Sequence, residues 1–96
     1  MLLSRFKIIG HSMEPSLLNN QIVFASSILF IFSKPKIGDI VVFKYKNKTY
    51  IKRATKINSY KYFLEGDNNK DSLDSRKVGW IKRKDIIGKV IYRISK

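Results

Sequence analysis

Ser12 is the first residue whose surroundings suggest chemistry. It follows a short apolar run and Gly10, and it precedes a turn anchored by Pro15. A serine in such a turn can present its Oγ and its own backbone N–H to a substrate carbonyl, which is what nucleophilic acyl transfer requires. The hydroxyl needs a base. The chain has no cysteine and a single histidine, His11, and adjacent residues on an extended chain point to opposite faces, so His11 is badly placed to serve Ser12. Carboxylates and neutral lysine amines remain. Lys52 stands apart from the other lysines because it lies in mid-strand, in the run Tyr50-Ile51-Lys52-Arg53-Ala54. Lowering a lysine pKa from about 10.4 to about 8 costs about 3 kcal/mol of differential solvation. Burial on an apolar strand face and a neighbouring cation such as Arg53 both act in that direction. Each residue also has a plainer explanation, Ser12 as a capping hydroxyl and Lys52 as one surface lysine among many.

A third segment breaks the pattern of the chain. Four of the seven acidic residues, Glu65, Asp67, Asp71 and Asp74, fall within ten positions. A loop over 66–76 rich in Asp, Asn and Ser can satisfy its own backbone groups and hold a fixed shape. Long structured loops are often functional, although a solvated turn or a weak cation site would have the same composition. Without cysteine, and with one imidazole, the chain has no disulfide framework, thiol nucleophile, cysteine zinc site or histidine cluster, so no metal or cofactor is expected.

The elements that must position these groups read mainly as strands. Segments 5–9, 21–25, 39–45, 49–57, 60–64 and 89–94 are short and rich in Ile, Val, Phe and Tyr, and Asn-, Gly- and Pro-containing turns separate them. The last alternates along 89–94 and reads as a half-buried edge. The only helix candidate is a turn or two after Ser12, with Pro15 in the first turn. The predicted fold is a mainly β, small coiled antiparallel sheet or partly open β-barrel, with residues 1–96 forming a single domain. At 44% hydrophobic the chain is globular rather than a disordered basic tail. Its 20 Lys and Arg against 7 Asp and Glu give a net charge of +13, which points to an acidic partner, either nucleic acid or an anionic membrane surface. Residues 1–10 lack the continuous apolar region of a secretory signal. The longest apolar stretch, 24–32, is less than half of the roughly 20 residues that a spanning helix needs. Residues 28–32 are expected to form a buried strand or packed turn, with a surface dipping into lipid beside Lys34 and Lys36 as the alternative.

In order and combination these segments resemble the type I signal peptidases, membrane-associated serine endopeptidases with a Ser-Lys dyad. Ser12-Met13-Glu14-Pro15-Ser16-Leu17 looks like the family's nucleophile box, where Thr is common at the position of Ser16. Gly38-Asp39-Ile40-Val41-Val42-Phe43 is similar to the second box, and Tyr50-Ile51-Lys52-Arg53-Ala54 to the box of the lysine base. Gly66-Asp67-Asn68-Asn69-Lys70-Asp71-Ser72-Leu73-Asp74-Ser75-Arg76 looks like the final box, and Ile86-Ile87-Gly88-Lys89-Val90 matches the closing strand. The resemblance implies Ser12 as nucleophile, Lys52 as general base and the Ser12 N–H as an oxyanion donor. It implies that Ser72 orients the Lys52 amine and that Asp74 and Arg76 form a supporting ion pair. Gly10 stands where some members carry a second oxyanion hydroxyl, which leaves that donor unassigned. The short spacings leave no room for the accessory β domain of larger members. The amino-terminal anchor of most members is also expected to be missing, as in a short anchorless subgroup.

The implied activity is cleavage of amino-terminal leader peptides from precursor proteins, with small side chains at the first and third residues before the cut. Peripheral contact with an anionic membrane, at the outer face of the cytoplasmic membrane, is the implied location, with the cytoplasm left open. Three other readings compete. One is a maturation peptidase for a specific precursor such as nickel superoxide dismutase. Another is a self-cleaving repressor-type Ser-Lys peptidase, whose internal Ala-Gly or Cys-Gly cut site is missing here. The third is a basic β-barrel that binds single-stranded nucleic acid with Tyr45, Tyr50, Tyr60 and Tyr62 as stacking platforms. That reading explains the charge but not the acidic loop, so no nucleic-acid partner is expected.

Overall fold

In the computed structural model, which describes residues 3–68 and 75–94, seven strands form one antiparallel sheet. They are β1 (Leu3–Lys7), β2 (Ile22–Ser26), β3 (Ile40–Tyr45), β4 (Lys48–Asn58), β5 (Lys61–Glu65), β6 (Ile81–Lys82) and β7 (Ile86–Arg93). The order across the sheet is β1-β2-β7-β3-β4-β5-β6. Two four-residue helical turns, α1 (Leu29–Phe32) and α2 (Ser75–Val78), interrupt the strands. The expected mainly β class and open coiled sheet are what the chain forms. The two-residue β6 is too short to leave a periodic signal and lies outside the six segments that read as strands.

Turn chemistry sets the registers. β3 and β4 pair from Ile40↔Arg53 to Tyr45↔Lys48, leaving Lys46 and Asn47 as a two-residue loop with φ of 50° and 65°. Positive φ at both positions is the backbone that matches the right-handed twist of a hairpin. Register shifts between Phe24 and Ala25 and between Val42 and Phe43 interrupt the ladders to β7. Such irregularities increase local twist, which is how a sheet of this length coils.

β7 corrects the expectation of an edge strand. Its first half pairs with β3 at Val41↔Lys89, Val42↔Gly88 and Phe43↔Ile86, and its second half pairs with β2 from Ser26↔Lys89 to Val23↔Arg93. The alternation that reads as an edge belongs to the segment facing β2 alone. The strand as a whole lies inside the sheet and joins its two ends.

Two apolar clusters fill the coil. Val41, Phe43, Ala54, Tyr62, Leu64, Ile81 and Ile86 make one; Ile8, Met13, Leu17 and Val23 make the other, with Ile40 and Ile51 packed against it. Tyr62 is only 1% exposed, and Tyr50 stacks on Phe43 with ring centroids 5.7 Å apart. Two of the four tyrosines considered as base-stacking platforms are therefore committed to the interior. Residues 28–32 depart from the expected buried strand or packed turn. They form α1, with Ile31 72% and Phe32 83% exposed, while Phe30 alone packs on the core. No regular helix follows Ser12. Residues 11–17 form consecutive turns, closed by Leu17 N–H donating to Met13 O at 2.9 Å, and the Glu14–Pro15 bond is cis.

The loop leaving β5 is tied to the sheet by charge. Arg53 donates from Nε and Nη2 to the two Asp67 carboxylate oxygens at 2.9 Å each, and Ser16 Oγ donates to Asp67 Oδ2 at 2.6 Å. The guanidinium also donates to Gly38 O at 2.8 Å. A bidentate pair of this kind is both strong and specific in direction. The hydrogen bonds from Arg53 are the main reason that the Asp67 carboxyl is held below the usual carboxylate range, and the Ser16 hydroxyl and the Arg53 charge add to it against the cost of burial.

A carboxylate with a depressed folded-state pKa contributes stability that is present above its unfolded pKa of about 3.9 and lost as pH falls through the lower folded value. Asp67→Asn should therefore cost about 1–3 kcal/mol in denaturant unfolding at neutral pH. The gap between wild type and variant should persist down to about pH 5 and close in stronger acid, below about pH 4. A gap unchanged across that range would remove the ionised Asp67 from the account.

Candidate active site

Strand β4 carries Lys52 into the interior. Alternation places Tyr50, Lys52 and Ala54 on the face of the larger cluster, while Ile51 packs against the smaller one. Lys52 is 5% exposed. Its Nζ lies 2.9 Å from Ser12 Oγ, donates to Ile51 O at 3.2 Å and sits 5.8 Å from the centre of the Tyr50 ring. Two residues forty positions apart thus share a hydrogen bond.

The turn that presents Ser12 is fastened on both sides. Gly10, with φ of 95°, turns the chain out of β1, and its N–H donates to Asn19 Oδ1 at 2.8 Å. Met13 and Leu17, each 1% exposed, anchor the turn in the smaller cluster. Asn68 closes it from above, its N–H donating to Ser12 O at 2.8 Å and its Nδ2 to His11 O at 3.0 Å. Asp67, one residue earlier, binds Ser16 in the same turn. The partly buried Ser12 is therefore positioned through the backbone of its turn, and its Oγ meets Lys52 Nζ. His11 is turned outwards and its Nδ1 meets Glu14 Oε2 at 2.6 Å, in keeping with its poor placement as a base for Ser12.

The residues expected at the site divide accordingly. Ser12 and Lys52 come together, with Gly10 at the entry to the turn. Ser72 and Asp74 lie outside the described residues. Arg76 lies near Glu65, Nε to Oε1 at 3.5 Å, and its Nη2 donates to Gly66 O at 3.4 Å, which fastens the base of the acidic loop. Arg53, expected as a cation near the amine, occupies the next position along β4 on the opposite face, and its charge is met by Asp67. Ser16, Asp67 and Asn68 have structural roles that the residue-by-residue reading did not assign. A signal for them existed, because an arginine next to a buried strand lysine must face the other way, and Asp67 in the acid-rich segment 65–74 supplies its partner.

Ser12 and Lys52 line a cleft of about 170 Å³ together with Phe6, Ile8, Ile9, Tyr50 and Ile51. Strand edges border it. β1 pairs with β2, and β4 pairs with β5 only from Arg53 onward, so the first half of β4 is hydrogen-bonded to β3 alone. Chemically, a hydroxyl in contact with a buried amine can pass its proton to that amine if the nitrogen is neutral, and burial opposes the charged form. Apolar side chains of Phe6, Ile8, Ile9 and Ile51 share the walls with Lys7 and Thr49.

The description "Signal peptidase, peptidase S26" belongs to the family profile that matches residues 1–55 and 54–95. The signal peptidase I of Buchnera aphidicola subsp. Baizongia pistaciae (strain Bp) is 37% identical over 62 residues, covering 65% of this chain and 20% of that protein. The match thus spans about a fifth of that relative's length. Because the profile accounts for nearly the whole sequence, the chain belongs to the type I signal peptidase family, peptidase S26.

Proposed function

We propose that residues 1–96 act as a single catalytic unit, a serine endopeptidase that removes amino-terminal leader peptides from precursor proteins. The observation that carries this reading is the 2.9 Å contact between Ser12 Oγ and the Nζ of a lysine that is 5% exposed. A solvated surface lysine would have no reason to be there. Family membership supplies the reaction class, and the cleft between two strand edges supplies a place for an extended peptide, which can add main-chain hydrogen bonds to such edges. A cleft of modest volume suits the small side chains that the family resemblance implies next to the cut.

In this mechanism Ser12 Oγ attacks the scissile carbonyl carbon while its proton passes to the neutral Lys52 Nζ. The Ser12 backbone N–H donates to the oxygen that becomes negative. Collapse of the tetrahedral intermediate breaks the C–N bond, and Lys52 returns the proton to the leaving amine. A water then attacks the acyl group on Ser12, with Lys52 taking the water proton and passing it back to Oγ. Ser72 orients the amine, and Asp74 and Arg76 support the loop beside it. The surplus of positive charge holds the unit peripherally at a membrane surface, the outer face of the cytoplasmic membrane, where leader peptides emerge.

Incubating a leader-bearing precursor with the protein and weighing the products tests this. Ser12→Ala and Lys52→Ala should each lower cleavage by about ten-thousandfold or more while the thermal unfolding transition persists. Lys52→Arg should be equally inactive, because a guanidinium stays charged; activity in that variant would remove Lys52 from the role of base. The wild-type rate should climb with pH along an alkaline limb that reports loss of the proton from Lys52, and a profile flat from about pH 6 to 10 would contradict the mechanism. Gly10→Ser tests the unassigned oxyanion donor. A hydroxyl there has open space, but its backbone has a φ of 95°, so the variant should lose about 1–3 kcal/mol of stability and gain no activity.

A further inference from the structure

The exposed helical turn α1 has no role in the site described above, yet its composition is unusual for a water-facing surface. Ile31 and Phe32 are 72% and 83% exposed, and Ile28 and Leu29 beside them are about 40% exposed. A contiguous apolar prow marks a surface meant for something other than water. Its neighbours are cationic. Lys34 follows α1 by two positions, and Arg83 reaches back to it, donating from Nη2 to Phe30 O at 3.2 Å with its guanidinium 5.2 Å from the Phe30 ring centre.

Lys34 and Arg83 also line a hollow of about 240 Å³ together with Ser59, Tyr60 and Tyr62. Arg83 spends its hydrogen bonds on the carbonyl oxygens of Ile86 and Phe30. Among the described residues, neither Arg83 nor Lys34 has a carboxylate partner. Asp85, the acid nearest in sequence to Arg83, and Asp39, the acid nearest to Lys34, are not among the residues lining the hollow. Two cations without counter-charges, a serine hydroxyl and a tyrosine at one concavity form a receptor for an anion with several acceptor oxygens, as a phosphate has.

The two features are continuous through Phe30, Arg83 and Lys34, and together they match one occupant. An apolar tip beside a cationic hollow complements an anionic bilayer, whose acyl boundary lies just below a layer of phosphate. We propose that α1 and the hollow beside it form one docking surface for anionic phospholipid, with Ile31 and Phe32 entering the acyl boundary and Lys34, Ser59 and Arg83 taking a headgroup phosphate. Tyr60, 59% exposed, sits at the depth where amphipathic rings collect. This assignment rests on the peripheral membrane reading and adds to it the face and the headgroup chemistry.

Flotation with vesicles tests it, using the Ser12→Ala protein so that turnover plays no part. Vesicles containing phosphatidylglycerol should carry the protein up the gradient, and phosphatidylcholine vesicles should not. Phe32→Asp should weaken binding by at least about tenfold. Lys34→Gln should weaken it by about fivefold. Lys7→Gln removes the same charge at the other end of β1, where Lys7 pairs with Ile22 while α1 follows Ser26, and should change binding by less than about twofold, beyond the reach of local screening. Both test positions are exposed, so unfolding should not confuse the result, and a thermal melt checks that. No binding of the parent protein to anionic vesicles would overturn both the docking surface and the peripheral reading. Binding that survives Phe32→Asp and Lys34→Gln would overturn this face alone. Equal flotation with phosphatidylcholine, whose headgroup carries a phosphate but no net charge, would overturn the assignment to anionic lipid. Titration of the protein with inorganic phosphate at constant ionic strength separates the remaining source: tighter binding than to vesicles would make the hollow a site for a soluble anion and overturn the lipid assignment.

Discussion

A buried amine against a serine hydroxyl is the constraint from which the rest of the structure follows. Removing a lysine head from water is unfavourable unless it loses its charge or finds partners. Among the described residues the amine meets the Ser12 hydroxyl and the Ile51 carbonyl, and the ring of Tyr50 lies on the same side of β4. The stem of the side chain can lie along apolar surface while the head reaches the cleft. A strand whose alternate neighbours, here Tyr50 and Ala54, pack into the core can hold it so, and β4, eleven residues long, is that strand.

The second requirement is that a turn near the start of the chain meet the middle of β4. Hairpins alone do not achieve this, because β1 and β4 are separated in the sheet by β2, β7 and β3. β7 supplies the closure by pairing with β2 along one half and with β3 along the other, and the register shifts coil the sheet until its open edges border one cleft. The acidic loop then fixes the turn to the strand. Asp67 bridges Arg53 of β4 and Ser16 of the turn, and Asn68 grips the backbone of His11 and Ser12. The contact at the site is therefore held by groups of opposite character: apolar anchors at Met13 and Leu17 beneath, charged and amide hydrogen bonds around it.

Much of this was legible from residues alone, and the reasons are physical. Strands with β-branched and aromatic residues, and turns with Asn and Gly, impose their geometry locally. So does the alternation that buries Lys52. What sequence reading lacked were the consequences of long-range pairing. Residues 90–94 look like an edge because one of the strand's two partners covers only its other half. Residues 28–32 look buried because composition reports apolarity without reporting which side faces the core, and here only Phe30 faces it. Arg53 looks like a cation beside Lys52, whereas strand alternation sends it to the opposite face and to Asp67. Each departure arises where a property of the folded chain, partner or face, overrides a local signal.

The charge of the chain acquires a different meaning once the acids are located. Glu14, Asp39, Glu65 and Asp67 each lie against a particular basic residue, His11, Lys89, Arg76 and Arg53 in turn. The few negative charges of the described residues are thus largely spent inside the fold, on fixed contacts of short range. Lysines far outnumber these pairs, and several rest instead over aromatic rings, as Lys46 does over Tyr45 and Lys56 over Phe63. Short, partly buried pairs such as Arg53–Asp67 are weakly screened by salt, while the collective field of exposed lysines fades within about 10 Å at ordinary ionic strength. The electrostatics that build the site and the electrostatics that face outward are therefore separable. The first tolerates salt and fails in acid when Asp67 is protonated. The second persists in acid and fails in salt, which makes it suited to reversible attraction to an anionic surface rather than to holding the fold.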